Sequence, residues 1–163
     1  MFYSLQKTIK LGEIINKNCL SNLNLISVKD GCSICHDVFI LNLIVLDMDC
    51  VELSFCIGVK SPQKSMDFAF VSNNDEVILV ELRCNYINLK NLKRNDLLEK
   101  RKNSEDILIK HGYSLFYNKI YCVFSDSFKQ QAIRRLRNMN PTIPSEFVAI
   151  SVTDLKSFFI WYG

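Results

Sequence analysis

Glycine and proline are scarce, at five and three in 163 residues, and tryptophan occurs once. With so little glycine there is no phosphate-cradling loop, and neither a His-Glu-x-x-His pair nor a Gly-x-Ser-x-Gly turn is present. Nucleotide binding of the usual kinds, zincin chemistry and the α/β-hydrolase nucleophile are therefore excluded as motif readings. There are two histidines, His36 and His111, and neither has a Ser, Cys or Asp relay at a useful spacing. His111, beside Gly112, reads as a helix C-terminus, where a cation is favourable. The N-terminus lacks the charged start, apolar run and small-residue cleavage site of a secretory signal, so a cytoplasmic location is expected. The most apolar stretch, residues 38–57, is interrupted by Asp47, Asp49 and Glu52. Carboxylates at that depth are costly in lipid, which argues against a membrane partner.

Cysteine, by contrast, is plentiful at seven. The odd number, without an export segment, predicts reduced thiols. Cys32, Cys35 and His36 have the spacing of haem attachment, which needs an export context this sequence lacks. The same side chains, completed by Cys19 and Cys50, make up the zinc-ligand set on offer. No second Cys-x-x-Cys follows, so zinc is not expected and plain buried or half-exposed thiols are.

With 48% hydrophobic and 23% charged residues the chain is globular, and its length fits one domain, residues 1–163, able to bury a core without staples. Charge is unevenly divided. Residues 1–83 carry seven Lys or Arg against ten Asp or Glu, and residues 84–163 carry thirteen against seven. A basic half predicts a polyanionic partner, although a solvated surface has the same composition.

Hydrophobic periodicity predicts a mixed α/β fold. Leu5, Ile9, Leu11, Ile14 and Ile15 recur at helical spacing over residues 3–18. Residues 20–28 read as a short strand, 29–31 as a turn, and 38–59 as two strands with Met48 and Asp49 at the hairpin tip, with a buried helix over the first half as the alternative. A clearer hairpin follows: residues 67–71, an Asn/Asp cluster at 72–75, and residues 76–83. The second of these strands is apolar on both faces until Glu81, as a covered central strand is. Residues 89–102 and 104–111 read as two helical pieces, the second opened by Ser104 and closed by Gly112. A strand at 119–124, a helix opened by a capping box at Ser127 and Gln130, and a strand at 147–152 complete the chain. The last helix buries Phe128, Ala132, Leu136 and Met139 and turns Lys129, Arg134, Arg135 and Arg137 outward.

One constellation stands out. In a hairpin turning near Asn74 the far ends of the strands lie side by side, which brings Asp67 to Glu81. Arg83, two residues on, shares that strand face. Two convergent carboxylates can hold magnesium with several waters, and such an ion can activate water and neutralise a phosphodiester. An ion pair between Glu81 and Arg83, with Asp67 capping the start of its strand, fits the same residues.

Asp67 and Glu81-x-Arg83 on a hairpin, followed by helix, strand, helix and strand, resemble the restriction-endonuclease-like, PD-(D/E)xK, nuclease fold over about residues 62–155, with residues 1–60 adding a helix and strands. Met66 stands where that motif has proline and Arg83 where it has lysine; Glu13 is the candidate for the family's acidic residue on the first helix. The resemblance implies a metal-dependent nuclease-like domain with Asp67, Glu81 and Arg83 as catalytic residues and magnesium held by Asp67 and Glu81. Lys93, Arg94, Lys129, Arg134, Arg135 and Arg137 would contact the nucleic acid. An Ile-, Asn- and Lys-rich composition fits an AT-rich bacterial or mobile-element genome, and hence a defence system. Arginine cannot lose its proton as lysine can. That substitution supports the alternative: a catalytically inactive accessory or immunity-type protein on the same fold, with a protein partner.

Overall fold

A computed structural model describes residues 2–32, 43–56 and 61–159. In chain order these form α1 (Leu5–Ile15), β1 (Leu20–Asn22), α2 (Leu23–Lys29), β2 (Ile44–Asp47), α3 (Met48–Phe55), β3 (Phe68–Val71) and β4 (Val77–Leu82). They continue as α4 (Arg94–Lys110), β5 (Ile120–Phe124), α5 (Lys129–Arg137), β6 (Phe147–Ser151) and α6 (Val152–Ser157). The strands make one sheet in order β1-β2-β3-β4-β5-β6, antiparallel up to β4 and parallel from β4 to β6. The fold is thus mixed α/β, with a central hairpin followed by helix, strand, helix, strand. No helix among the described residues is long and apolar enough to cross a membrane.

Strand alternation divides the core in two. Val77 and Leu79 of β4 join Ala69, Val71, Cys122, Phe124 and Ala149 beneath α1, α3, α4 and α5. Ile78, Val80 and Leu82 join Phe68, Phe70, Tyr121, Val123 and Ile150 on the opposite face, which α2 and α6 cover through Leu23, Ile26 and Leu155. Period-two placement therefore puts Glu81 on the α4 side, where every other inward position of β4 is apolar. The hairpin turns where the Asn/Asp cluster predicts: Asp75 adopts φ 65°, and Ser72 Oγ accepts from the backbone N–H groups of Asn74 and Glu76.

Several sequence expectations are corrected. The strand at residue 20 ends after three residues and passes into α2. Met48 and Asp49 open α3 rather than a hairpin tip, because the Asp47 side chain accepts the Cys50 N–H at 2.9 Å and caps the helix. α4 is one continuous helix. Ser104 does not cap a second piece; it is buried mid-helix, and its hydroxyl accepts the Met66 N–H at 2.9 Å. Ser127 forms no capping box; that device closes the start of α6 instead, through Ser151 and Asp154.

The expected reduced thiols are also corrected: Cys19 is bonded to Cys50 and Cys32 to Cys84, with Cα atoms 5.4 and 5.0 Å apart. Parity misled because cysteines outside the two pairs remain; Cys56 and Cys122 are free. Sulfurs spent in disulfides are not thiolate ligands, which dismantles the zinc set around Cys32. Cys35 and His36 lie outside the described residues.

Helix α5 packs largely as its periodicity predicts, except that Phe128 precedes it and is half-buried, and Lys129 and Arg135 are half-buried rather than turned fully outward. Ala132, Leu136 and Met139 are buried, whereas Arg134 and Arg137 are exposed. Replacing Leu136 with Ala should lower the unfolding free energy by about 2–5 kcal/mol in urea titration, the range for emptying a filled aliphatic site.

Candidate functional site

The β3–β4 register pairs Phe68 with Val80, and one step further sets Asp67 opposite Glu81. Asp67 is fixed through its backbone, donating N–H to the Val80 carbonyl and accepting from the Met48 N–H, both at 3.1 Å. Its Oδ2 accepts the Leu82 N–H. The side chain has one oxygen committed to the strand end and the other turned toward α4.

There it meets a residue that sequence reasoning missed. Lys100 Nζ, on α4, donates to Glu81 Oε1 at 2.8 Å and Oε2 at 3.0 Å, and lies 3.5 Å from Asp67 Oδ1. One ammonium thus reaches both carboxylates, which share the α4 side of the sheet. Arg83 faces the same side, as expected: its guanidinium contacts Glu81 and lies 3.6 Å from Asp96 Oδ2. Tyr86 stacks on Arg83, with its ring centroid 5.2 Å away. Two carboxyl groups and two cations form a buried quartet, with Asp96 at its edge on Arg83. Glu81 is fully buried, Asp67 is 5% exposed, and the Lys100 and Arg83 side chains are 12% and 16% exposed.

Burial and then the neighbouring Asp67 push the Glu81 carboxyl up to about 8, against the pull of Lys100 and Arg83. Asp67 is also raised, by burial first, with Lys100 opposing. Burial would lower Lys100, but Glu81 and then Asp67 outweigh it and hold the ammonium above its ordinary range. Lys100 consequently stays an ammonium and a hydrogen-bond donor at neutral pH. Asp49, which accepts from Ser65 and Lys29, sits close enough to raise Asp67 further. Burial, and then Asp67, raise Asp30 to about 6. Glu13, by contrast, is exposed on α1, and the acidic neighbours of Asp67 come from the end of α2 and the start of α3.

Four ionisable groups brought together at the centre of a sheet are poorly explained by stability alone. Similar-sized apolar groups are commonly as stable there or more so. Strongly shifted carboxyls beside specific charge partners are what functional sites present. Among the described residues no group of three or more His, Cys, Asp or Glu is placed to hold a metal. Magnesium asks for less: one or two carboxylates, with waters and substrate phosphates completing its shell. Asp67 and Glu81 are the carboxylates that could be asked to do so, and the Lys100 ammonium rests between them.

The basic residues singled out in the sequence separate into two groups. Lys93, Arg94, Arg134 and Arg135 line adjoining clefts beside the segment that leaves Arg83. Lys129 is spent on Asp154 at 2.7 Å, and Arg137 lines a different groove, along β6 with Ile143 and Phe147. No known protein family, curated protein or solved structure matches this chain.

Proposed function

We propose that this protein is a divalent-metal-dependent nuclease of the restriction-endonuclease-like, PD-(D/E)xK, class, acting on nucleic-acid phosphodiesters. The observation that carries this reading is Lys100 on both carboxylates, since it supplies from a helix the lysine that Arg83 replaces on the strand. Magnesium, when bound by Asp67 and Glu81, would activate water and neutralise the phosphodiester. Lys100, kept protonated by its neighbours, can hold a water or a phosphate oxygen at the mouth of the quartet. Arg83 cannot move a proton, but its permanent charge suits the extra negative charge of a pentavalent phosphate. A bacterial defence or mobile-element setting fits the composition.

In the presence of magnesium or manganese, the purified protein should cleave labelled DNA or RNA. Asp67→Asn and Glu81→Gln should each lower the rate by about 100-fold or more, the scale on which removing a positioned charge acts. Unchanged cleavage in both variants would assign the activity to a contaminant and refute the site. A second reading, an inactive accessory or immunity-type protein that binds a protein partner, draws on the quartet's internal pairing: both Glu81 oxygens are already occupied by Lys100. Absence of any divalent-ion binding by calorimetry, together with co-purification of a protein partner, would favour it.

A further inference from the structure

Two shallow clefts adjoin between residues 87–95 and α5. One, of about 430 Å³, is lined by Asn88, Lys90, Gln131 and Arg134; the next, of about 490 Å³, by Lys93, Arg94, Asn95 and Asn140. Arg135 and Asn138 line both. Together the walls present five cations, Lys90, Lys93, Arg94, Arg134 and Arg135, and no carboxylate.

The five cations are gathered without a carboxylate among them. Lys7, Lys29, Lys64, Arg101 and Lys129 each pair with a carboxylate, whereas none of the five cleft cations does so among the described residues. Two of the five are held without being neutralised: Arg94 Nε donates to the Thr142 carbonyl at 3.1 Å, and Arg135 Nη2 to the Leu92 carbonyl at 3.2 Å. Arg135 Nε is buried with no hydrogen-bond partner among the described residues. Fixed, mutually repelling charges with amide side chains between them make a concave anion receptor. The receptor is joined to the quartet through α4 and the segment after β4. Arg94 precedes Lys100 by six residues of α4, about 9 Å of helix axis. Ile87, four residues past Arg83, stands on the rim at 91% exposure. An acidic protein surface would also meet the charge, but a concave row of five cations joined to the quartet through α4 and the segment after Arg83 favours a nucleic-acid strand.

We infer that this double cleft holds the nucleic-acid backbone flanking the phosphodiester presented to the quartet. Lys90, Arg134 and Arg94 take successive phosphates, Arg135 bridges the two clefts, and Ile87 projects into the base stack at the edge. The inference rests on the nuclease reading and extends it to substrate placement. The contacts go to phosphates, so binding should be insensitive to sequence and steeply sensitive to salt.

The test measures fluorescence anisotropy of labelled single- and double-stranded oligonucleotides with metal chelated, across a sodium chloride series, alongside cleavage in magnesium. Lys90→Glu with Arg134→Glu should weaken binding by about tenfold or more at low salt and flatten the log–log salt slope by about 2. Arg137→Glu, on the other groove, should leave both unchanged. Lys90→Gln with Arg134→Gln, giving a smaller loss in the same direction, guards against misfolding of the reversed variant. Equal binding by parent and both double variants would overturn the cleft, as would polyglutamate competing as well as an oligonucleotide. Cleavage that proceeds at parental rate in the double variants would overturn the cleft and leave the quartet standing. Salt-sensitive binding lost in the variants, with no cleavage by the parent in magnesium or manganese, would support the cleft and refute the nuclease.

Discussion

Above about pH 8, where Glu81 ionises, Lys100→Met should cost the folded protein about 3–5 kcal/mol, read as a lower urea midpoint with unchanged slope, because one partner of a buried charge set is removed and Glu81 loses both hydrogen bonds from Lys100. The penalty should shrink as pH falls. Glu81 already holds its proton more tightly than an unfolded glutamate does, up to about 8, so protonation replaces the lost ammonium as the means of neutralisation. Adding Glu81→Gln to Lys100→Met should recover part of the loss, giving a coupling energy of about 1–3 kcal/mol in a double-mutant cycle. The single variant also separates binding from chemistry. Without the competing ammonium, the carboxylates should take up a divalent ion at least as tightly by calorimetry, while cleavage falls by about 100-fold or more. Additive single losses would show that Lys100 and Glu81 do not act as a pair.

The second large effect is expected from reducing agent. Cys19–Cys50 closes 31 residues of sequence and Cys32–Cys84 closes 52. On the chain-entropy account each is worth about 4 kcal/mol to the folded state. A thermal melt with a strong phosphine reductant should therefore show a midpoint lower by about 15 °C or more than the oxidised protein. Single Cys19→Ser and Cys32→Ser variants should divide that loss. Cys32–Cys84 has a local role as well, since Cys84 follows Arg83 directly and the bond ties the end of β4 to the turn after α2. Identical melts with and without reductant, in protein whose thiols titrate as blocked before reduction, would mean that the bridges add nothing to stability.

The hairpin and its two carboxylates are legible in the sequence because every signal for them is local. The Asn/Asp cluster at 72–75 sets the turn, alternation sets the register, and register alone brings Asp67 to Glu81. Lys100 was hidden because its position depends on how α4 lies across the sheet, which no local pattern states. A signal for it existed. Leu97, Ser104, Ile107 and Leu108 mark the buried face of α4, and Lys100 falls between Leu97 and Ser104 on that same face. Dividing the helix at Ser104 concealed this, since serine there is a good cap and an equally good hydroxyl acceptor for the Met66 N–H. The bridge from Cys32 to Cys84 was illegible for a similar reason: it joins cysteines 52 residues apart, and spacing drew attention to Cys35 instead. Of the basic residues, composition could count them but not sort them; only the packing of α5 shows that Lys129 and Arg137 face away from Arg134 and Arg135.

The tie between Ser104 and Met66 spans 38 residues and lies one helical turn beyond Lys100. During synthesis the hairpin is complete once residue 82 has left the ribosome, but at that moment Asp67 and Glu81 are like charges side by side with no cation from α4. Until the next 18 residues, through Lys100, have emerged and coiled, Arg83 is the cation beside that end. The helix that equips the site is thus also the piece that brings the nascent hairpin its second cation.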